Sequence, residues 1–112
     1  ALFIGGIGSV DAANWYTVGT DSNGITWSID NDSVKKDDKK AVLDIKAMDY
    51  EGYHYIVTEE FNHKKREVKD VKVTLYNPKG EVVKQEQPNK STRKVEQGTP
   101  AYAVYTLIWG DK

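Results

Sequence analysis

The chain has 112 residues, with 16 basic and 17 acidic side chains and a formal net charge of −1. That length gives one domain with a single modest core, and the balanced charge provides no overall field for nucleic acid or an anionic membrane. Cysteine is absent, which excludes disulfides, thiolate chemistry and cysteine-based metal sites.

The N-terminal run Leu2, Phe3, Ile4, Gly5, Gly6, Ile7, Gly8 is apolar and glycine-rich, and Val10, Asp11 and Ala12 follow it. Small residues after an apolar stretch have the form of a secretory signal peptide's tail. Residues 1–13 are therefore expected to be a signal-peptide remnant or an apolar N-terminal arm, with 14–112 forming one domain. The run is too short to span a membrane. The expected location is outside the cytoplasm, in a periplasm or at a cell surface.

From Trp15 to Gly19 the residues are rich in β-formers, and Asp21, Ser22, Asn23 and Gly24 form a turn ending in Asn-Gly. A second strand runs from Ile25 to Asp30. Asn31 to Val34 make a corner, and a charged turn (Lys35, Lys36, Asp37, Asp38, Lys39, Lys40) leads to a third strand, Ala41 to Met48. After the turn at Asp49–Gly52, the fourth strand, Tyr53 to Phe61, places Tyr53, Tyr55, Val57 and Phe61 on one face. His54, Thr58 and Glu60 take the other. Asn62 to Asp70 is densely charged and reads either as a loop or as an extension of its neighbours.

Val71 to Gln87 carries the strongest local signal. Val71 to Tyr76 alternates apolar and polar residues, and Asn77, Pro78, Lys79, Gly80 suit a type I turn closed by a glycine bulge. This hairpin supplies strands five and six. Its expected register sets Leu75 opposite Val83, Tyr76 opposite Val82 and Lys72 opposite Glu86, with Val71, Val73, Leu75 and Val83 forming an apolar face. Pro88 to Lys94 is polar and breaker-rich. Thr99 and Pro100 then suit an N-cap and first helical position, and Ala101, Val104, Tyr105 and Ile108 form a helical stripe expected to cover that face. A seventh strand is the competing reading of this segment, since Val104, Tyr105, Thr106, Ile108 and Trp109 all favour β structure. The fold class is thus α+β, mainly β: a bent antiparallel sheet of about six strands packed on one C-terminal helix.

The order of Trp15, Tyr16, Val18, then Trp27, Ile29, Asp30, Ser33, Val34 in a W-x-I-D-x-x-S-V arrangement, then Tyr76, Gly80, Val82, Val83, resembles the surface-adhesin E-like family of small exported bacterial domains. That resemblance implies a bent sheet with a C-terminal helix and a role in surface binding. Members often carry a cysteine pair, which this chain lacks.

No residue pattern specifies catalysis. There is no G-x-S-x-G and no phosphate loop leading into a helix. An EF-hand loop begun at Asp30 would need Gly and Glu where Lys35 and Ala41 stand, so Asp30, Asn31, Asp32 and Ser33 are read as caps and turn bonds. His54 and His63 lie an odd number of positions apart and lack further zinc ligands. No cofactor is expected. Two candidate binding features remain. One is basic: Lys35 and Lys36, with Lys39 and Lys40, and Lys64, Lys65 and Arg66, which could dock an acidic extracellular protein or a glycosaminoglycan. The other is an aromatic cleft of Trp15, Trp27, Tyr53 and Tyr55, suited to a flat or carbohydrate ligand. The expected function is noncatalytic binding, such as adhesion to host matrix or another protein. The alternatives are a periplasmic assembly module acting by homodimerisation, and a small-ligand binder.

Overall fold

The computed structural model describes residues 13–110. The N-terminal expectation for residues 1–12 falls outside these. Eight antiparallel strands form one open sheet: β1 (Trp15–Thr20), β2 (Thr26–Asp30), β3 (Lys35–Lys36), β4 (Lys40–Met48), β5 (His54–Asn62), β6 (Glu67–Tyr76), β7 (Val82–Glu86) and β8 (Arg93–Lys94), followed by the helix α1 (Pro100–Trp109). The fold class expected from the sequence is the one observed. The spatial order is β1-β2-β4-β5-β6-β7, with β3 on β4 and β8 on β6.

The long strands β4, β5 and β6 form the spine, and each outer edge of that spine is shared by two short strands. On β4, β2 pairs along the 45–48 end and β3 along 41–42; on β6, β7 pairs along 73–76 and β8 along 67–68. The sequence reading missed β3 and β8. Lys35 and Lys36, expected in a charged turn, and Arg93 and Lys94, expected in an irregular segment, form these strands, and two-residue strands carry no periodicity to reveal them.

Antiparallel order sends three turns to one end of the sheet, and all three are built alike. At Asp21, Asp49 and Asn77 the first residue's carbonyl accepts from the N–H of a glycine three positions on, at 3.0, 3.1 and 2.9 Å. The same residue's side chain caps the amides inside the turn. The glycines Gly24, Gly52 and Gly80 have φ of +82, +97 and +85°, a region open to glycine at little cost. The turn expected at Asn77–Gly80 is therefore observed.

The register is interrupted at Thr17/Gly19, Thr58/Glu59 and Leu75/Tyr76. Val18, Val71 and Val83 are the extra residues, and a bulge of this kind bends its strand and re-aims its neighbours. The bulges correct the expected hairpin. Tyr76 does face Val82, but Leu75 faces Lys84 and Val73 faces Glu86. Val71 and Val83 are exposed, so the four-residue apolar face does not form. Of the two hairpin strands, β7 is an edge of the sheet and β6 belongs to its spine.

The helix expected from Thr99 and Pro100 is present, and the strand alternative is excluded. Thr99 Oγ1 accepts from the Tyr102 amide at 3.2 Å, and Val104, Tyr105 and Ile108 are buried. Its stripe packs on Ile29, Ala41, Leu43, Ile45, Phe61 and Val68, which belong to β2, β4, β5 and the start of β6. The helix therefore covers one half of one sheet face. It leaves the remainder, toward the three glycine turns, open.

Candidate functional site

At the end of the sheet opposite the glycine turns, the β3–β4 and β5–β6 connections meet. His63 N–H donates to the Lys39 carbonyl at 2.9 Å, and its Nδ1 lies 2.9 Å from the Asp38 carbonyl. Part of each basic segment thereby joins a single hollow of about 620 Å³, lined by Lys39, Lys40, Lys64, Lys65 and Arg66 with one acid, Asp38, while Lys40 Nζ also lies 3.8 Å from Glu60. Lys64, Lys65 and Arg66 are exposed. Lys35 and Lys36 are not in this hollow. Lys35 stands on β3, and Lys36 Nζ donates to the Ile108 carbonyl at 2.7 Å, satisfying a carbonyl at the negative end of the helix.

The end of α1 holds this basic hollow in shape. Tyr105 Oη donates to the His63 carbonyl at 2.7 Å, Trp109 stacks on His63 with ring centroids 4.3 Å apart, and Trp109 Nε1 donates to the Asp37 carbonyl at 3.0 Å. Arg66 has φ of +52°, and its guanidinium lies 5.5 Å from the centre of the Tyr105 ring. Left-handed backbone is uncommon for residues other than glycine, and here the tight β5–β6 turn imposes it.

A second site lies on the half of the helix-bearing face that α1 leaves open. Trp27, Ala47 and Tyr55 are direct cross-strand partners on β2, β4 and β5, so two aromatic rings flank a methyl group. Both rings are tethered at their polar ends: Trp27 Nε1 donates to Asp21 Oδ2 at 2.9 Å, and Tyr55 Oη donates to Glu86 Oε2 at 3.0 Å. The Tyr55 bond holds the Glu86 carboxyl below its ordinary pKa and raises that of the phenol. Ile45, Val57 and Val73 complete the apolar wall of a cleft of about 360 Å³. A lobe of about 200 Å³, sharing Trp27, Ile45, Glu59 and Arg93, continues to Thr99 and Pro100 at the start of α1.

The cleft contains a polar cluster that the sequence reading did not single out. Continuous register from the Thr58–Lys72 pair would set Glu59 opposite Val71. The bulge ejects Val71 and sets Glu59 opposite Asp70. Arg93 Nη2, from β8, then donates to Glu59 Oε2 at 3.2 Å and to Asp70 Oδ1 at 3.0 Å. Burial, followed by the hydrogen bond and charge of Asp70, pushes the Glu59 carboxyl up to about 8, with Arg93 opposing the shift. The available signal was a charge on the apolar face of a strand: in the alternation of Tyr55, Val57 and Phe61, position 59 is occupied by Glu.

Of the four aromatic residues expected in one cleft, two are there. Trp15 lies on the other sheet face, where Lys46 Nζ sits 4.5 Å from its ring centre and burial lowers the pKa of the ammonium. Direct pairing with Asp30 rather than Ile29 decides its side. Tyr53 is 43% exposed beside the Asp49 turn. The capping role read for the Asp30 segment is observed: Asp30 Oδ1 accepts from the Asn14 and Asp32 amides, and Ser33 Oγ donates to the Asp30 carbonyl and accepts from the Asp44 amide. His54 stacks on Tyr76 on the sheet, far in register from His63, and no cluster of metal-ligating side chains occurs among the described residues. No helix among them is long and apolar enough to cross a membrane.

Comparison with known proteins found no family model that matches the chain, no curated protein that matches it and no solved structure that matches it.

Proposed function

We propose that this domain is a noncatalytic binding module, exported to a periplasm or cell surface, that docks an acidic extracellular partner through the basic hollow. One observation carries the reading: basic residues from two separate segments, Lys39 and Lys40 with Lys64, Lys65 and Arg66, meet in one open concavity whose backbone is braced by the end of α1. A solvated charged turn needs no such bracing. Clustered cations facing a polyanion gain affinity from complementary potential, and that gain falls as salt screens it. A sulfated glycosaminoglycan or an acidic protein segment has the matching chemistry. The apolar, glycine-rich run at Leu2–Gly8 supports export.

The test is heparin retention at rising ionic strength. The parent protein is expected to bind at low salt and to elute as salt rises, whereas Lys64→Glu, Lys65→Glu and Arg66→Glu combined abolish retention. Lys35→Glu, outside the hollow, is expected to change it little. Absence of binding at low salt, or equal losses from both variants, rejects the reading.

A further inference from the structure

Three features of the open cleft bear on what it binds. The bulge at Val71 leaves that side chain 40% exposed and opposes two carboxyl groups, where an unbroken ladder would have paired Glu59 with a valine. Bulges of this kind commonly re-aim side chains beside binding sites. The Trp27 and Tyr55 rings are each fixed by a hydrogen bond at the tip, so a ligand stacking on them would find them already ordered. Finally, the charges do not balance. Lys84 Nζ lies 3.2 Å from Glu86 and offsets it from outside the cleft, whereas Glu59 and Asp70 share the single guanidinium of Arg93. The pair is one positive charge short.

We propose that the cleft binds a primary ammonium group carried on a flat apolar body. The body lies against Trp27, Ala47 and Tyr55, and the ammonium donates to Glu59 and Asp70. An ammonium provides three donors and a compact charge, which supplies the missing cation without displacing Arg93. In its absence a proton serves: with its carboxyl pushed up to about 8, Glu59 keeps its hydrogen at neutral pH, and an arriving cation releases that proton to solvent. Apolar walls with a few convergent polar groups are the general form of a small-molecule site, and the cleft volume of about 360 Å³ lies within the range such sites occupy. An anionic ligand would meet two carboxyl groups, and a neutral one would leave the proton on Glu59 in place. This proposal is independent of the basic hollow, which shares no lining residue with the cleft.

The experiment uses phenethylamine as the probe, with phenethyl alcohol and phenylacetate as neutral and anionic counterparts, titrated into the full chain and followed by chemical-shift changes. The amine is expected to saturate, with shifts concentrated on the Trp27 indole N–H, the Ala47 amide and the Tyr55 ring, and to bind at least about tenfold more tightly than either counterpart, as a charge-assisted hydrogen bond allows. Glu59→Gln and Asp70→Asn should each remove that preference while the spectrum remains that of a folded protein. No saturation at millimolar amine, equal affinity for all three probes, or shifts confined to Lys64–Arg66 would each overturn the proposal. Failure here leaves heparin retention untouched, and the reverse also holds.

Discussion

Glu59 is the residue whose surroundings contrast most with its chemistry. Its side chain is 14% exposed, and it faces Asp70 as well as Arg93. Its pKa is about 8 in the folded protein against 4.5 ordinarily, so between those values the native state holds a proton that the unfolded chain has lost. By linkage, stability from this group is fully present below about pH 4.5 and is lost as pH rises toward 8, at a slope of up to about 1.4 kcal/mol per unit. Asp21 and Glu86 act in the opposite sense. Both carboxyls are lowered, by the Trp27 and Tyr55 hydrogen bonds respectively, and their contribution is lost as pH falls through their folded-state values. Urea unfolding across pH 5 to 8 should therefore show the parent losing ground to Glu59→Gln as pH rises, with the variant the more stable at pH 8. A difference that stays constant with pH would mean that Glu59 is ionised in the folded state.

Among the elements, the three Asx-glycine turns are alike in backbone but unequal in surroundings. A Cβ at Gly24 or Gly80 would meet nothing within 4 Å, whereas one at Gly52 would lie 3.0 Å from Pro78 Cβ in the neighbouring turn. Each Gly→Ala change carries the cost of a positive φ, about 1 kcal/mol. Gly52→Ala adds a clash, so its unfolding midpoint should fall further than that of Gly24→Ala; equal losses would show that the two turns do not touch. Thr99→Ala removes the helix N-cap and should cost about 1 kcal/mol. These turns and the cap were legible because each is written in adjacent residues: Asn23-Gly24, Asn77-Pro78-Lys79-Gly80, Thr99-Pro100. The strands Ala41–Met48 and Tyr53–Phe61 were legible to within a residue for the same reason. The cleft was not, because a bulge depends on two strands at once. Nothing in Asp70, Val71 or Lys72 alone shows that Val71 will be skipped, and that skip turns an expected core valine outward and an acid inward. The joining of Lys39 with Lys64 was equally hidden, since it follows from strand order.

Across the whole molecule, the two ends of α1 have different duties. Its C-terminal half is tied to β3 and the adjoining loops by the Lys36, Tyr105 and Trp109 hydrogen bonds. Its N-terminal end borders the open lobe at Thr99 and Pro100. Packing should follow the same division. Val104 is 1% exposed and Leu107 49%, so Val104→Ala is expected to cost roughly 2 kcal/mol and Leu107→Ala less than about 0.5 kcal/mol. The bracing of the basic hollow can be separated from the stability of the core by Tyr105→Phe, which keeps the buried ring and deletes only the hydroxyl that donates to His63. Losing one hydrogen bond to a part-buried carbonyl costs about 1 kcal/mol. If the helix end shapes the hollow, native-state amide exchange should quicken at His63 and Arg66, and heparin should be retained less. Exchange at Ala47, on the cleft side, should change only by the global loss of stability. Uniform acceleration throughout the sheet would instead mean that the Tyr105 hydroxyl supports the fold as a whole and gives the hollow no shape of its own.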